Sequence, residues 1–380
     1  MGAVGRPVNM LTMRFGIEEI PYAVGYDCES SLFEIVSNAV GENDVLLLAD
    51  VAVKELASRV VHGIGGGTGR TMRVLFLSLS ESTKSFSTVQ EVVEAALDSG
   101  LSRRTSVIAL GGGVVGNLAG MVAGLLFRGV PLVHLPTTPV AAFDAVISRK
   151  QAVNVGALKN AAGLFKSPKL IALDLKWLES VPRELMRTGL LEMAKNVLAV
   201  RPDYRDAFTE AVGKLDADPE TALFTLHEIG FTSKVPFLAV DANETADALV
   251  FEYGHTIGHA IEGASCGLIH HGEAVGWGML AAADISLAEA GLSAAEHRAH
   301  DEILGLLGIM RHQPPRVDPA AVKQLVRADT KRGYTALDED RTPMVLLSAL
   351  GQPTIDLGKP LCQVKLSTID SAIDDLLWER

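Results

Sequence analysis

Cysteine is scarce in this chain: three residues in 380, Cys28, Cys266 and Cys362, all far apart. No two have a metal-type spacing and there are too few for a disulfide framework, so a stapled secreted scaffold is excluded and a reducing compartment fits. Positive charge is also in short supply. Lys and Arg total 34 against 46 Asp and Glu, a formal net charge of -12. Gripping a phosphate backbone needs the opposite excess, so nucleic acid is not an expected partner. A small phosphorylated molecule, which a few local cations can hold, remains open. Long apolar runs are missing too. The stretch from Val114 to Phe127 is broken by glycines and Asn117 and stops at Arg128, so no membrane span is expected. No basic stretch leads into an apolar one at the start, as in a secretory leader, and the expected location is cytoplasmic.

What is present has the balance of a globular enzyme: 48% hydrophobic and 21% charged residues. The length exceeds one ordinary core and predicts two domains. In the first half, short apolar runs end in polar or turn residues. Val45–Ala49 ends at Asp50, Val74–Leu77 near Glu81, Ser106–Leu110 at Gly111, and Leu132–Leu135 at Pro136-Thr137-Thr138. Leu170–Leu173 before Asp174 makes one more. Such runs read as buried parallel strands whose C-terminal ends carry a ligand crevice. After about Trp177, helical spacing takes over in Arg183–Val200, Ala274–Ala290 and Ala320–Ala328. The expectation is an α/β Rossmann-like domain over residues 1–176 and a mostly α-helical domain over 177–380. Gly65-Gly66-Gly67-Thr68-Gly69 reads as a loop, with a phosphate cradle as the alternative.

Gly111-Gly112-Gly113-Val114-Val115-Gly116-Asn117 follows a strand and opens a helix. Glycines there let the backbone approach a pyrophosphate, and the helix N-terminus favours its charge. Tight strand–helix packing would explain the same glycines. Asp50, able to accept from ribose hydroxyls, Glu81 with Lys84, and Thr137 with Thr138 at other strand ends tip the balance toward a dinucleotide site.

Two histidines, His255 and His259, stand one helical turn apart, and His271 follows at the start of another helical run. A catalytic metal site commonly takes two histidines and one carboxylate and keeps a position open. His255, His271 and Glu192 would supply that set. Glu192 sits in an apolar helical segment, where a carboxylate is costly unless it meets a cation or a metal. An ion pair with Lys195, one turn on, would also account for it. Cations at the ends of expected elements (Arg128, Lys150, Lys159, Lys195, Lys234 and Lys331) can serve a bound phosphate, although each alone reads as a solvated charge.

Taken together, Gly111–Asn160, Leu190–Asn196 and Glu252–Glu273 resemble the dehydroquinate synthase superfamily of sugar phosphate cyclases, over roughly residues 45 to 350. The resemblance implies a Rossmann-like NAD domain, a helical metal domain and an active site in the cleft between them. It implies Glu192, His255 and His271 as ligands of one divalent ion, with Zn2+ and Co2+ equally suited. It implies Asp50, Glu81, Lys84, Gly112, Gly113, Thr137, Thr138, Asp144, Lys159 and Asn160 around NAD. Asn117 stands where that family usually has Asp, which puts one cofactor contact in question. Lys150, Lys195 and His259 are the implied catalytic positions; Glu252, a carboxylate beside the metal helix where that family has an amide, is a further acid–base candidate. Arg128, Asp144, Lys150, Lys195, Lys234 and Lys331 are the implied contacts to substrate and phosphate, and a homodimer is the implied assembly.

Within the superfamily the details favour one branch. An Arg associated with the substrate carboxylate of dehydroquinate synthases is Ala248 here, and Glu252 replaces a usual Asn. Ser148–Asn154, Phe251–His255, Asp329–Tyr334 and Pro343–Ser348 are similar to the 2-deoxy-scyllo-inosose synthase branch, which acts on glucose 6-phosphate. That chemistry removes a hydride at C4, expels phosphate from C6, returns the hydride and closes a carbocycle, regenerating the cofactor. The alternatives are a valiolone-type cyclase, a 3-dehydroquinate synthase, an NAD-dependent metal polyol dehydrogenase, or a degenerate cyclase kept for binding.

Overall fold

A computed structural model describes residues 6–65, 69–78, 80–156, 158–313, 315–335 and 338–377, without the side chains of Thr330 and Arg332. Gly66, Gly67 and Thr68 of the glycine patch lie outside the described residues. The chain divides into Met1–Pro182 with Leu238–Asn243, and Arg183–Phe237 with Glu244–Arg380. The turn around Trp177, where the sequence changes texture, falls in the short helix Leu175–Ser180 just ahead of that division. Nothing in the sequence marks the return of 238–243 to the first unit. Gly16 N donates to the Leu238 carbonyl at 3.3 Å and ties this segment to the first hairpin.

Among the described residues the first unit has nine strands: β1 (Asn9–Phe15), β2 (Glu18–Gly25), β3 (Asp44–Asp50), β4 (Met72–Leu77), β5 (Thr105–Gly111), β6 (Leu132–Pro136), β7 (Lys150–Val155), β8 (Leu158–Phe165) and β9 (Leu170–Asp174). Seven form one sheet in the order β1-β2-β9-β6-β5-β3-β4. All its neighbours are parallel except the β1–β2 hairpin. Helices α1 (Glu29–Val40) and α2 (Lys54–Gly65) cover one face, and α3 (Phe86–Asp98) and α4 (Gly113–Leu125) the other. Val45, Leu47, Ile108 and Leu110 pack with Leu32, Val36 and Val60, whereas Leu46, Leu48 and Val107 pack with Val89, Val92 and Leu118. Burial on both faces is why these strands read as continuous apolar runs rather than alternating ones.

The five strands expected from the sequence are β3, β4, β5, β6 and β9, each within two residues of its expected ends. Strands β1 and β2 carry no such run. In β1 only Met13 and Phe15 are buried, and β2 contains Pro21, a composition tolerated near a sheet edge. Between β3 and its neighbours β4 and β5 the winding direction reverses, which in open α/β sheets opens a ligand crevice at the strand C-termini. Strands β7 and β8 form a separate hairpin beside α4.

The second unit is mostly helical: α5 (Arg183–Ala199), α6 (Arg205–Lys214), α7 (Pro219–Val240, its last residues counted with the first unit), α8 (His255–Ala264), α9 (His271–Ile285), α10 (Ala294–Leu306), α11 (Pro319–Val326) and α12 (Leu366–Leu377). Two short antiparallel pairs, Arg341–Met344 with Cys362–Lys365 and Leu347–Ala349 with Gln352–Pro353, complete it. From Thr188 to Ala199 every residue of α5 is buried, and α9 is buried almost all round, so these two helices form the centre of the unit. Among the described residues no helix is long and apolar enough to cross a membrane. The three cysteines are free thiols.

Candidate functional site

Three helices of the second unit bring charged groups together where a core would normally be apolar. Helix α5 places Glu192 and Lys195 one turn apart, both about 2% exposed or less. Helices α8 and α9 meet so closely that a Cβ on Gly278 would lie 2.0 Å from the Gly254 carbonyl oxygen. That approach lets the first turn of α9, with His271, reach the face of α8 that carries His255 and His259. Gly278→Ala is accordingly expected to lower stability by about 3 kcal/mol, the upper end for overpacking a tight core, and to reduce metal content. Thermal melting with metal analysis checks this; an unchanged melting temperature would mean that the helices can part without harm.

One ring nitrogen from each of His255, His259 and His271 lies within 4.8 Å of the others. Glu192 Oε1 is 3.2 Å from His271 Nε2 and 3.8 Å from His255 Nε2, yet no hydrogen bond of good geometry reaches it among the described residues. The other oxygen, Oε2, accepts from Lys195 Nζ at 2.7 Å. The ion pair considered from the sequence therefore exists, and it leaves Oε1 turned toward the imidazoles. Two donors bound at about 2.1 Å to a tetrahedral ion stand about 3.4 Å apart, close to both Glu192–His separations.

The outer nitrogens separate the three rings. His255 Nδ1 donates to the Tyr253 carbonyl at 3.1 Å, and His271 Nδ1 to Glu262 Oε2 at 3.0 Å. The His259 ring makes no hydrogen bond among the described residues. Burial pushes the Glu192 carboxyl upward, but Lys195 and the two histidines outweigh it and hold it well below the usual range. Burial takes the His255 imidazole down to about 4 and, with its charged neighbours, holds His259 well below its ordinary value. His271 is opposed by burial, yet the neighbouring carboxylates of Glu192 and Glu262 raise it to about 10. A metal held there would need Nε2 free of a proton, so its binding would compete with protonation of this ring.

Glu252 ends the short helix Asp247–Glu252, with Oε2 3.5 Å from Lys331 Nζ. Lys331 is buried and also meets Asp329 at 2.8 Å. Next to Glu252, the Phe251 ring lies under two more buried ammonium groups, with Lys195 Nζ at 5.8 Å and Lys234 Nζ at 5.7 Å from its centroid. Three of the cations named from the sequence thus gather around two adjacent residues.

In the first unit the expected cofactor residues collect at the strand C-termini. Asp50 caps the turn after β3 by accepting from Ala52 N at 2.8 Å. Gly112 is the N-cap of α4 without a side-chain cap, so the first amides of that helix are left for another acceptor. A Cβ on Gly112 would come within 3.2 Å of Thr138, filling the space beside the turn. The crevice there is lined by Gly111, Gly112, Gly113, Asn117, Pro136 and Ala145. Thr137 N donates to the Gly111 carbonyl at 3.0 Å, and Asp144 lies in the turn Ala141–Ala145. Lys150 opens β7; Lys159 and Asn160 lie on β8. Lys84 is buried and donates to the Asn160 side chain. Asn154, given no role from the sequence, joins this group by donating to the Glu81 carbonyl at 2.8 Å and accepting from Asn160 N at 2.9 Å.

Two expected positions differ. Both ends of the Asn117 amide are engaged within the protein: Nδ2 donates to the Gly113 carbonyl at 2.9 Å and Oδ1 accepts from Ala152 N at 2.9 Å. It clamps the β7–β8 hairpin onto the glycine turn, so these bonds serve the fold, while it still lines the crevice. Asn117→Ala is expected to cost about 1–3 kcal/mol, the range for leaving such partners unmet, measurable by urea unfolding. Arg128 is not brought to this edge. It is exposed at the far end of α4, whose 13 residues separate it from the glycine turn by about 20 Å.

A parallel-sheet unit with a glycine turn, and a helical unit with clustered histidines beside a buried carboxylate, define a dehydroquinate synthase-like protein. Residues 74–188 match the 3-dehydroquinate synthase N-terminal family and residues 189–332 its C-terminal counterpart. A 2-deoxy-scyllo-inosose synthase of Streptomyces fradiae is 38% identical over 374 residues, covering 96% of this chain and 85% of that one. A crystal structure of 2-deoxy-scyllo-inosose synthase complexed with carbaglucose-6-phosphate, NAD+ and Co2+ superposes with a TM-score of 0.89 at 32% identity, covering 97% of this chain and 100% of that one. A 2-epi-5-epi-valiolone synthase from Streptomyces hygroscopicus, with NAD+ and Zn2+ bound, shares the fold at a TM-score of 0.80 and 23% identity, covering 94% of this chain and 96% of that one. The chain belongs to the 2-deoxy-scyllo-inosose synthase family.

Proposed function

We propose that this protein converts D-glucose 6-phosphate to 2-deoxy-scyllo-inosose with release of phosphate, as an NAD- and metal-dependent carbon–oxygen lyase of aminoglycoside antibiotic biosynthesis, working in the cytoplasm as a homodimer. The observation that carries the reading is the convergence of Glu192 Oε1 with the Nε2 atoms of His255 and His271, a donor set of one oxygen and two nitrogens suited to Zn2+ or Co2+. The outer hydrogen bonds favour this set over the three histidines alone. His255 and His271 are each fixed through Nδ1, as metal-bound imidazoles are, whereas His259 is not. His259 then faces the substrate as a neutral ring.

The donor sets fit the groups they would hold. NAD would lie along the strand ends, with its pyrophosphate at the uncapped start of α4 and Asp50 and Thr138 beside it. When bound, NAD supplies a reversible hydride acceptor and the ion a Lewis acid for the oxygen at the oxidised carbon. The chain's own groups do the rest. Lys150, Lys195, Lys234 and Lys331 bind and orient the phosphate and hydroxyls. Lys195 keeps Glu192 ionised. Glu252, next to Lys331, is placed to move a proton or to orient a hydroxyl while the substrate phosphate takes the proton. The buried Ala248 offers no charge to a substrate carboxylate, which disfavours a 3-dehydroquinate synthase reaction.

Incubation with glucose 6-phosphate, NAD+ and Co2+ tests the reading. Phosphate and a carbocyclic ketone should appear in equal amounts with no net NADH. NADH accumulating without phosphate release would point to a polyol dehydrogenase, and consumption of a seven-carbon sugar phosphate instead would point to a valiolone-type cyclase.

A further inference from the structure

We propose that Glu262, outside the donor set, positions His271 for the metal by fixing which ring nitrogen faces the ion. The inference rests on the reading of Glu192, His255 and His271 as ligands. Glu262 lies on α8, seven residues after His255 and three after His259, a spacing that keeps all three on one helical face. Its side chain is buried, and Oε2 lies 3.0 Å from His271 Nδ1. An ionised carboxylate only accepts, so the proton of this bond sits on Nδ1. Nε2 is thereby turned to Glu192 Oε1, 3.2 Å away.

The two ligand histidines are held by different means. His255 leans on a backbone carbonyl, that of Tyr253, which fixes orientation and adds no net charge. His271 leans on a full negative charge, which fixes orientation, strengthens the imidazole as a donor and offsets part of the ion's charge. His271 is also the more exposed ring, its side chain 33% accessible against 10% for His255, so packing alone constrains it less. The connection between α8 and α9 holds the carboxylate in place. Ser265 Oγ donates to the Glu262 carbonyl at 2.7 Å and accepts from Ile269 N at 3.1 Å, closing the turn whose two ends carry Glu262 and His271.

The test uses the full chain with Glu262→Ala and Glu262→Gln, stripped of metal and titrated with Co2+ against a competing chelator. The visible spectrum of the Co2+ form and the melting of the metal-free form are recorded alongside. Outer-shell partners of metal ligands are worth 10–100-fold in affinity, so Glu262→Ala should weaken Co2+ binding by about 100-fold and shift its absorption band. Glutamine still accepts from Nδ1–H through its carbonyl oxygen but lacks the charge, and should cost about tenfold with metal-free melting unchanged. If the alanine variant fails to fold, the glutamine variant decides. A Co2+ affinity within about threefold of wild type in the folded variants, well under the outer-shell range, overturns the proposal. His271→Ala serves as the control: full Co2+ affinity there would overturn the ligand assignment itself, so the two failures are distinguishable.

Discussion

His271→Ala is expected to abolish both bound metal and turnover, with kcat falling by about 10^3 or more, since a Lewis acid supplies several kcal/mol at the transition state. Only Glu192 and His255 would remain of the donor set, and Glu192 Oε1 would lose the nearer of its two imidazoles, the one at 3.2 Å. The variant also removes the imidazole that donates to the buried Glu262, so some loss of stability should accompany the loss of metal. The informative comparison is therefore with the metal-free wild type: somewhat lower melting, and no recovery of metal or turnover on adding Co2+ or Zn2+. A variant that retains one ion per chain and full activity would remove His271 from the metal site, and a metal-free preparation with full activity would remove the metal from the reaction.

The second large effect belongs to Glu252. Glu252→Gln should lower kcat about 10^2–10^4-fold, the usual worth of a placed acid or base, with metal content and NAD binding unchanged. The substitution keeps the shape. Lys331 keeps Asp329 at 2.8 Å, so no buried ammonium is left unaccompanied and the fold should hold. Turnover of glucose 6-phosphate near the wild-type rate would assign the proton transfer to the substrate phosphate and leave Glu252 the lesser task of orienting a hydroxyl.

The parts of this structure that could be read in the sequence are those where one residue's environment is set by its near neighbours along the chain. Strands buried on both faces show as apolar runs, hence β3, β5 and β6, whereas β1, half exposed, and β2, with Pro21, do not. His255 and His259 advertise a shared helical face by their spacing, and Glu192 stands out as a carboxylate in a buried stretch of α5. The remainder depends on partners brought in from elsewhere. Asn117 is a clamp because Ala152, 35 residues on, comes to its side chain. Glu262 carries no role in the sequence, and its task follows only from the direction of the His271 ring. Asn154 likewise acquires its role once Glu81 and Asn160 flank it. Arg128 shows the converse: a cation in a suggestive stretch that thirteen helical residues separate from the glycine turn.

The groups assigned to the ion, Glu192, His255 and His271, all belong to the helical unit and sit on helices that pack closely, α8 with α9 at Gly254 and Gly278, and α5 with α9 at Thr188 and Gly272. The same packing that closes the core of this unit also places the three donors beside one another. Such a pocket should load and unload without refolding, so that one preparation could be emptied by chelation and refilled with a different divalent ion. Which ion it carries in the cell would then be decided by supply more than by any preference written into the protein.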